Sequence, residues 1–215
     1  MSKADSFDFS AVEDFDDHIT KSIPFLGQLD DLVCQIVNDV TQPNTRVVDL
    51  GCSEGRILNR IPKINATYLG VDNGIIPTTT NGWTYINKDI CKYVLGMKTH
   101  SVVMSIFTLQ FLPPNERLGM LIDIRDSLTE GGVFICAEKV HANTPRIENI
   151  LQTELLRKKR EHFTDTEIID KQIALSPIMH CRTHSELQDE LSIVGDLNPF
   201  WCWGNFIAYA VTKRV

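Results

Sequence analysis

From Leu29 through Leu32, Val33, Ile36, Val37 and Val40, apolar positions recur at spacings of three and four, the stripe of a helix that buries one face. "TQPNT" stops it. Short β-branched and aromatic runs follow in "RVVDL", "TYLGV", "WTYI" and "SVVMSIF", each bounded by loop or short helical sequence, which is the pattern of strands. "PPNERLGMLIDIRDSL" reads as a helix opened by prolines, with Leu118, Leu121, Ile122 and Leu128 on one side, and "EGGVFICAEK" as a turn into another strand. Such alternation of strand and helix predicts a parallel sheet covered by helices on both faces.

Residues 141 to 180 break that rhythm. "NILQTELLRKKREHFTDTEIIDKQIAL" is helix after helix with no strand between, read as a helical insertion over the C-terminal edge of the sheet, where ligands bind in open α/β folds. "HSELQDELSIV" is a last helix. "PFWCW" and "NFIAYAVTK" are expected as two closing, antiparallel strands.

Composition then bounds what such a fold can be. A chain of 215 residues with 43% hydrophobic and 23% charged positions suits one domain, expected over 1–215 with the insertion as a lid at about 141–180. No run approaches the length of a membrane span, and "MSKADSFDFS" carries no apolar signal region, so we read the chain as soluble, cytoplasmic and without a membrane partner. Cys34, Cys52, Cys91, Cys136, Cys181 and Cys202 are scattered with no C-x-x-C pair, which predicts reduced core or near-core thiols and no metal site. Acidic residues exceed basic ones by 28 to 21, a net charge of −7, so a polyanion would be bound only weakly or as a specific substrate.

The chemistry concentrates at "VVDLGCSEGRIL", residues 47 to 58, an apolar strand ending in an acid, a loop of small residues and the expected start of a helix. A pyrophosphate loop wants a glycine where Ser53 stands and no carboxylate where Glu54 stands, so Gly51 and Gly55 shape a tight turn not built for phosphate. Asp49, Asp72 and Asp89 follow three successive strands. Asp72 is placed to meet ribose hydroxyls, and Asp89 to accept from an adenine amino group while the Ile90 N–H meets a ring nitrogen. A lone strand-end Asp usually caps a turn. Three in order favour an adenosine site, and S-adenosylmethionine, with sulfonium and ammonium in place of a diphosphate, tolerates Glu54.

"DLGCSEG", "VDN", "FTLQFLPPNER" and "LTEGGVFICAEK" resemble the carboxy-S-adenosylmethionine synthase family, a branch of the class I methyltransferase fold, with similarity running from "FDDHITKSIPF" to "WCWGNFIAYAVTK". "FTLQFL" is the most specific piece. The resemblance implies a seven-stranded, mostly parallel, Rossmann-like sheet and a homodimer. It implies S-adenosylmethionine held at Gly51, Cys52, Ser53, Asp72, Asn73, Asp89 and Ile90, and to that site we add Asp49, Gly55 and Ser105. It also implies that prephenate gives up carbon dioxide, which the deprotonated sulfonium methyl captures, yielding a carboxymethyl donor for wobble uridine in tRNA.

This chain departs from the family pattern on the second-substrate side. A family arginine in the insertion aligns with Gln172, a tyrosine after "SIP" with Leu26, and an asparagine before "FTLQFL" with Ile106. An amide donates hydrogen bonds without charge, whereas a guanidinium grips a carboxylate with a planar fork. Lys171, Arg182 and Ser105 are candidate replacements, though Lys171, as the adjacent helical residue, does not point the same way as Gln172. Slow carboxy-S-adenosylmethionine synthesis is therefore expected. "LLRKKREHF" reads as a solvated face rather than an RNA contact, and Trp201 with Trp203 as packing under the insertion rather than a base-stacking platform. His100, His141, His162, His180 and His184 have no triad-like partners, and no catalytic residue is named. We read the chain as an S-adenosylmethionine-binding transferase, first a methyltransferase acting on a small-molecule second substrate or a nucleic acid. The alternatives are carboxy-S-adenosylmethionine synthesis and a non-catalytic binding module.

Overall fold

The structure, a computed structural model, describes residues 15–74 and 76–214. Its strands are β1 (Arg46–Leu50), β2 (Thr67–Asp72), β3 (Thr84–Asn87), β4 (His100–Ile106), β5 (Leu128–His141), β6 (Arg182–Thr183), β7 (Gly195–Trp203) and β8 (Phe206–Lys213). They form one sheet in the order β3-β2-β1-β4-β5-β8-β7, with the two-residue β6 paired to the end of β5. Neighbours are parallel from β3 to β5, then β8 and β7 close the sheet antiparallel, as the two terminal runs implied.

Helices α1 (Phe15–Ser22), α2 (Leu26–Val40), α3 (Pro114–Ser127), α4 (Pro145–Lys159), α5 (Asp165–Leu175) and α6 (His184–Leu191) complete the element order. Successive strand residues face opposite sides, so β1 sends Val47 to a core under α2 and Val48 to a core under α3 and α6. Val102 and Val103 of β4 divide in the same way. Burial on both faces is why these strands read as unbroken apolar runs.

The helix stripes hold with two shifts. In α2, Leu29, Val33 and Val37 are fully buried while Leu32 reaches solvent. In α3 the buried line runs through Arg117, Met120, Leu121 and Ile124, and Leu118, expected inside, is exposed. Arg117 takes the inward place: its guanidinium bonds the buried Glu138 of β5 at 2.9 Å and Glu190 of α6 at 2.5 Å, which holds it on the buried face.

A second correction falls at the helix expected after β1. Residues 51–61 form a succession of turns. Side chains take up the local carbonyls: Asn59 donates to Glu54 O, and the Lys63 ammonium donates to Leu58 O and Ile61 O, so a regular ladder is replaced. Between β5 and β6, α4 and α5 fill the 141–180 segment, and a reciprocal cap between Thr164 and Glu167 starts α5. Among the described residues no helix is long and apolar enough to cross a membrane.

Candidate functional site

Strand order reverses between β1 and β4, whose outgoing loops diverge and leave a crevice at their C-terminal ends. Gly51 opens the first loop at φ +81°, and its N–H donates to Val71 O at 2.8 Å. A side chain there would overlap Thr108, whose Cβ would lie 2.8 Å from the new atom. Ser53, where a dinucleotide loop would carry glycine, takes φ 48° and donates its N–H to Asp72 Oδ2 at 3.0 Å. Asp72 therefore ties this loop to β2, and its Oδ1 also accepts from Gly74 N–H at 2.7 Å. Asp89 accepts from Cys91 N–H at 3.0 Å and caps a short 3-10 turn. Both acids thus perform the capping expected of lone strand-end carboxylates while also lining the crevice.

That crevice is a cavity of about 500 Å³. One end is acidic, with Asp49, Asp72, Asp89 and Glu116, beside Gly51, Cys52, Ser53, Asn73 and Ile90. Ile106 and Phe107 of the β4 end form its wall. Phe107 holds φ 60° while its ring meets Phe206 edge-on at 5.7 Å, a non-glycine residue in the left-handed region at the lip of the site. The opposite end is basic, from Lys139 at the end of β5, Lys159 at the end of α4 and Lys171 in α5, with His18 of α1 beside them.

Four expected members lie elsewhere. Gly55, at φ +82°, backs onto the Trp83 ring behind the loop. Ser105 is fully buried in β4 and does not line the cavity. Leu26 is 1% exposed in the core under α2, too deep to touch a substrate. Gln172 is exposed to solvent, because the face of α5 that turns inward carries Ile168, Lys171 and Leu175, spaced by three and four. Gln172, which aligns with a family arginine, thus lies outside the cavity, and Lys171 occupies the inward position.

Sequence reasoning missed His18, Lys139, Lys159 and Gln110. His18 lay in "FDDHITKS" and Lys159 inside a basic run that reads as solvated, so neither stood out. Gln110 lay in "FTLQFL", and its burial accounts for that hexapeptide: Oε1 accepts from Lys139 N–H at 2.8 Å, and its own carbonyl accepts from His180 N–H at 2.7 Å. His141 does have an acid partner, Glu148 at 3.1 Å, but the pair lies outside the cavity. Trp203 packs between Phe25 and Phe206 rings, 6.1 and 6.5 Å away, in keeping with a packing role. Cys202 is exposed rather than near-core.

Electrostatics divide the two ends. Complete desolvation pushes the Asp49 carboxyl up to about 7, against the pull of Arg56 and with help from Asp72 and Asp30, and its Oδ1 has no hydrogen-bond partner among the described residues. Burial holds the Cys52 thiol protonated, so it is no nucleophile. At the basic end desolvation lowers Lys159 and Lys171 to about 8, helped by Lys139 and Lys159 respectively. Burial and Lys171 push His18 down, and it contacts the Lys171 ammonium as a neutral ring. An acid-rimmed pocket joined to a lysine-lined one suits a ligand whose cationic part faces the loop and whose partner is an anion.

No protein-family model matches the chain. It is 30% identical over 203 residues to a carboxy-S-adenosyl-L-methionine synthase of Shewanella oneidensis, covering 88% of this chain and 84% of that protein. It is 30% identical over 226 residues to the enzyme of the same name from Marinobacter nauticus, covering 97% and 90%. In structure it is similar to a TehB-like SAM-dependent methyltransferase from Corynebacterium glutamicum, with a TM-score of 0.54 at 14% identity over 88% of this chain and 96% of that one. The last likeness establishes the class I, Rossmann-like α/β fold.

Proposed function

The chain belongs to the carboxy-S-adenosyl-L-methionine synthase family and is an S-adenosylmethionine-dependent transferase, and from that premise we propose that it joins a carboxyl group to the methyl of S-adenosylmethionine. In that reaction prephenate loses carbon dioxide and hydroxide to become phenylpyruvate, the hydroxide takes the proton as the methyl C–H bond breaks and leaves as water, and the methyl carbon bonds the carbon dioxide. The observation that carries this reading is the placement of Lys171 on the inward face of α5, with Gln172 outside. Two of the three departures that counted against carboxylation, Gln172 and Leu26, do not line the cavity, and Ile106 alone of the three does, which supports this reading over ordinary methyl transfer.

The residues present fit the nucleoside. Gly51 leaves no room for a Cβ, and Asp49 Oδ1, without a hydrogen-bond partner among the described residues, suits a sulfonium or ammonium. Asp72, Asn73, Asp89 and Ile90 would hold ribose and adenine, and Cys52 and Ser53 would lie along the amino-acid tail. S-adenosylmethionine, when bound, supplies the sulfonium-activated methyl carbon. The protein's contribution is to hold the two partners in line and keep water out, with residues 141–180 acting as a lid through Lys159, Lys171, Leu175 and Met179. We take the second substrate to be a small molecule rather than nucleic acid, because Arg157, Lys158 and Arg160 on the outer face of α4 are matched by Glu154, Glu161 and Asp165. The test is to incubate the protein with S-adenosylmethionine and prephenate and to follow phenylpyruvate and carboxylated product by mass spectrometry. Demethylated S-adenosylmethionine with no carboxylated product would return the chain to ordinary methyl transfer.

A further inference from the structure

Four consecutive basic residues end α4, and three of them are neutralised locally: Arg157 by Glu154 at 2.6 Å, Lys158 by Glu161 at 3.2 Å, and Arg160 by Asp165 at 2.6 Å. Lys159 is different. It lies one turn beyond Leu155, which is 2% exposed, so it shares the inward face of the helix and enters the cavity. Among the described residues no carboxylate is within ion-pair distance of Lys159 or Lys139.

The charged groups that act directly on Lys159 and Lys171 are lysines, while Asp17 of α1 and Glu167 of α5 act on the neighbouring His18. Lys139 comes from β5, Lys171 from α5 and His18 from α1. Like charges gathered in a partly desolvated cavity oppose folding, since burial disfavours each charged form and each neighbour adds repulsion. Desolvation is accordingly the first cause of the lowering of both Lys159 and Lys171, and a lysine is the next cause in each case. An anion placed among them would reverse both penalties.

We propose that Lys159, with Lys139 and Lys171, forms the anion-holding end of the cavity, and that Lys159 engages a carboxylate of the second substrate. The inference rests on the transferase reading above and adds to it the residues that select the donor. His18 is a positioning residue: its ring contacts the Lys171 ammonium, which also donates to Ser22 Oγ at 3.2 Å, so α1 fixes where that charge points. A lysine is a compact point charge that titrates when buried, whereas a guanidinium does not, so capture of the donor in this chain weakens as pH rises through the lysine range.

The test uses the full chain, with prephenate and malonate as probes in calorimetry. Lys159→Ala should weaken prephenate binding at least tenfold and Lys159→Arg should restore most of it, while S-adenosylmethionine affinity stays within twofold in both. Lys159→Arg should also lose the decline in prephenate affinity at alkaline pH. In wild-type protein carrying 13C-dimethylated lysines, two resonances should titrate below the ordinary lysine range and move upward when prephenate is added. Prephenate binding unchanged in both Lys159→Ala and Lys171→Ala overturns the assignment, as does a wild type that binds neither probe. Lysine-dependent binding of prephenate with no carboxylated product leaves the anion end standing and removes the carboxylation reading alone.

Discussion

Gly51→Ala tests whether the turn after β1 is as tight as the site requires. The residue holds φ +81°, where an alanine costs about 1–2 kcal/mol through its Cβ. The added atom would also overlap the Oγ1 and Cγ2 of Thr108 and lie 2.8 Å from its Cβ, an overpacking that costs about 1–3 kcal/mol. Loss of chain entropy in the unfolded state returns about 0.4–1 kcal/mol, leaving a net destabilisation of about 1–5 kcal/mol. For a chain of this size each kcal/mol lowers the melting temperature by about 2–4 °C, so a fall of roughly 2–20 °C is expected. Thr108→Ala removes the two atoms in closest overlap but not the backbone strain. In a double-mutant cycle read by thermal and urea unfolding, the two changes should therefore couple favourably by about 1–2 kcal/mol. A Gly51→Ala protein as stable as wild type, or a cycle with no coupling, would refute the packing argument.

Asp49 is held near 7 when folded against 3.8 ordinarily, so the folded state keeps a proton that the unfolded chain gives up; its contribution to stability is full below 3.8 and is lost as pH rises to about 7. Asp49→Asn should flatten urea midpoints across that window relative to wild type, and parallel profiles would argue against the shift. Arg117→Ala leaves the wholly buried Glu138 without its partner and should cost about 3–5 kcal/mol in urea unfolding, a reasoning undone by a loss under 1 kcal/mol. Leu26→Ala should lose about 2–5 kcal/mol of stability yet keep its prephenate KM, and Gln172→Ala should change neither; a raised KM in either variant would reinstate the sequence alignment.

The layers of this molecule were open to reading because burial on both faces writes itself into β1 and β4 as continuous apolar runs, and burial on one face writes a stripe into α2. The cofactor loop was legible for a similar reason: Gly51 and the ordered acids Asp49, Asp72 and Asp89 stand next to strands whose positions the pattern already marks. Arg117 defeated the same logic in α3, since nothing local says that an arginine will be buried by carboxylates contributed from β5 and α6. The substrate end failed for a rotational reason. Neighbours such as Lys171 and Gln172 differ by about 100° around a helix, so a one-residue ambiguity in alignment exchanges a buried charge for an exposed amide. Lys159 was hidden by its company, because three paired basic neighbours make a solvated face the natural reading of all four.

Gln110 gives the crevice a single fastening. Its side chain clasps the backbone of β5 at Lys139, and its main chain clasps the end of the insertion at His180, so the β4 turn, the strand that carries one lysine and the segment that carries two others are buttoned together. The Gln110 Nε2 also donates to Met179 Sδ at 3.7 Å, so loosening any one of them strains the same three hydrogen bonds. Local opening of the insertion at His180 and of β5 at Lys139 therefore shares one residue, so Gln110→Ala should raise amide exchange at both segments together.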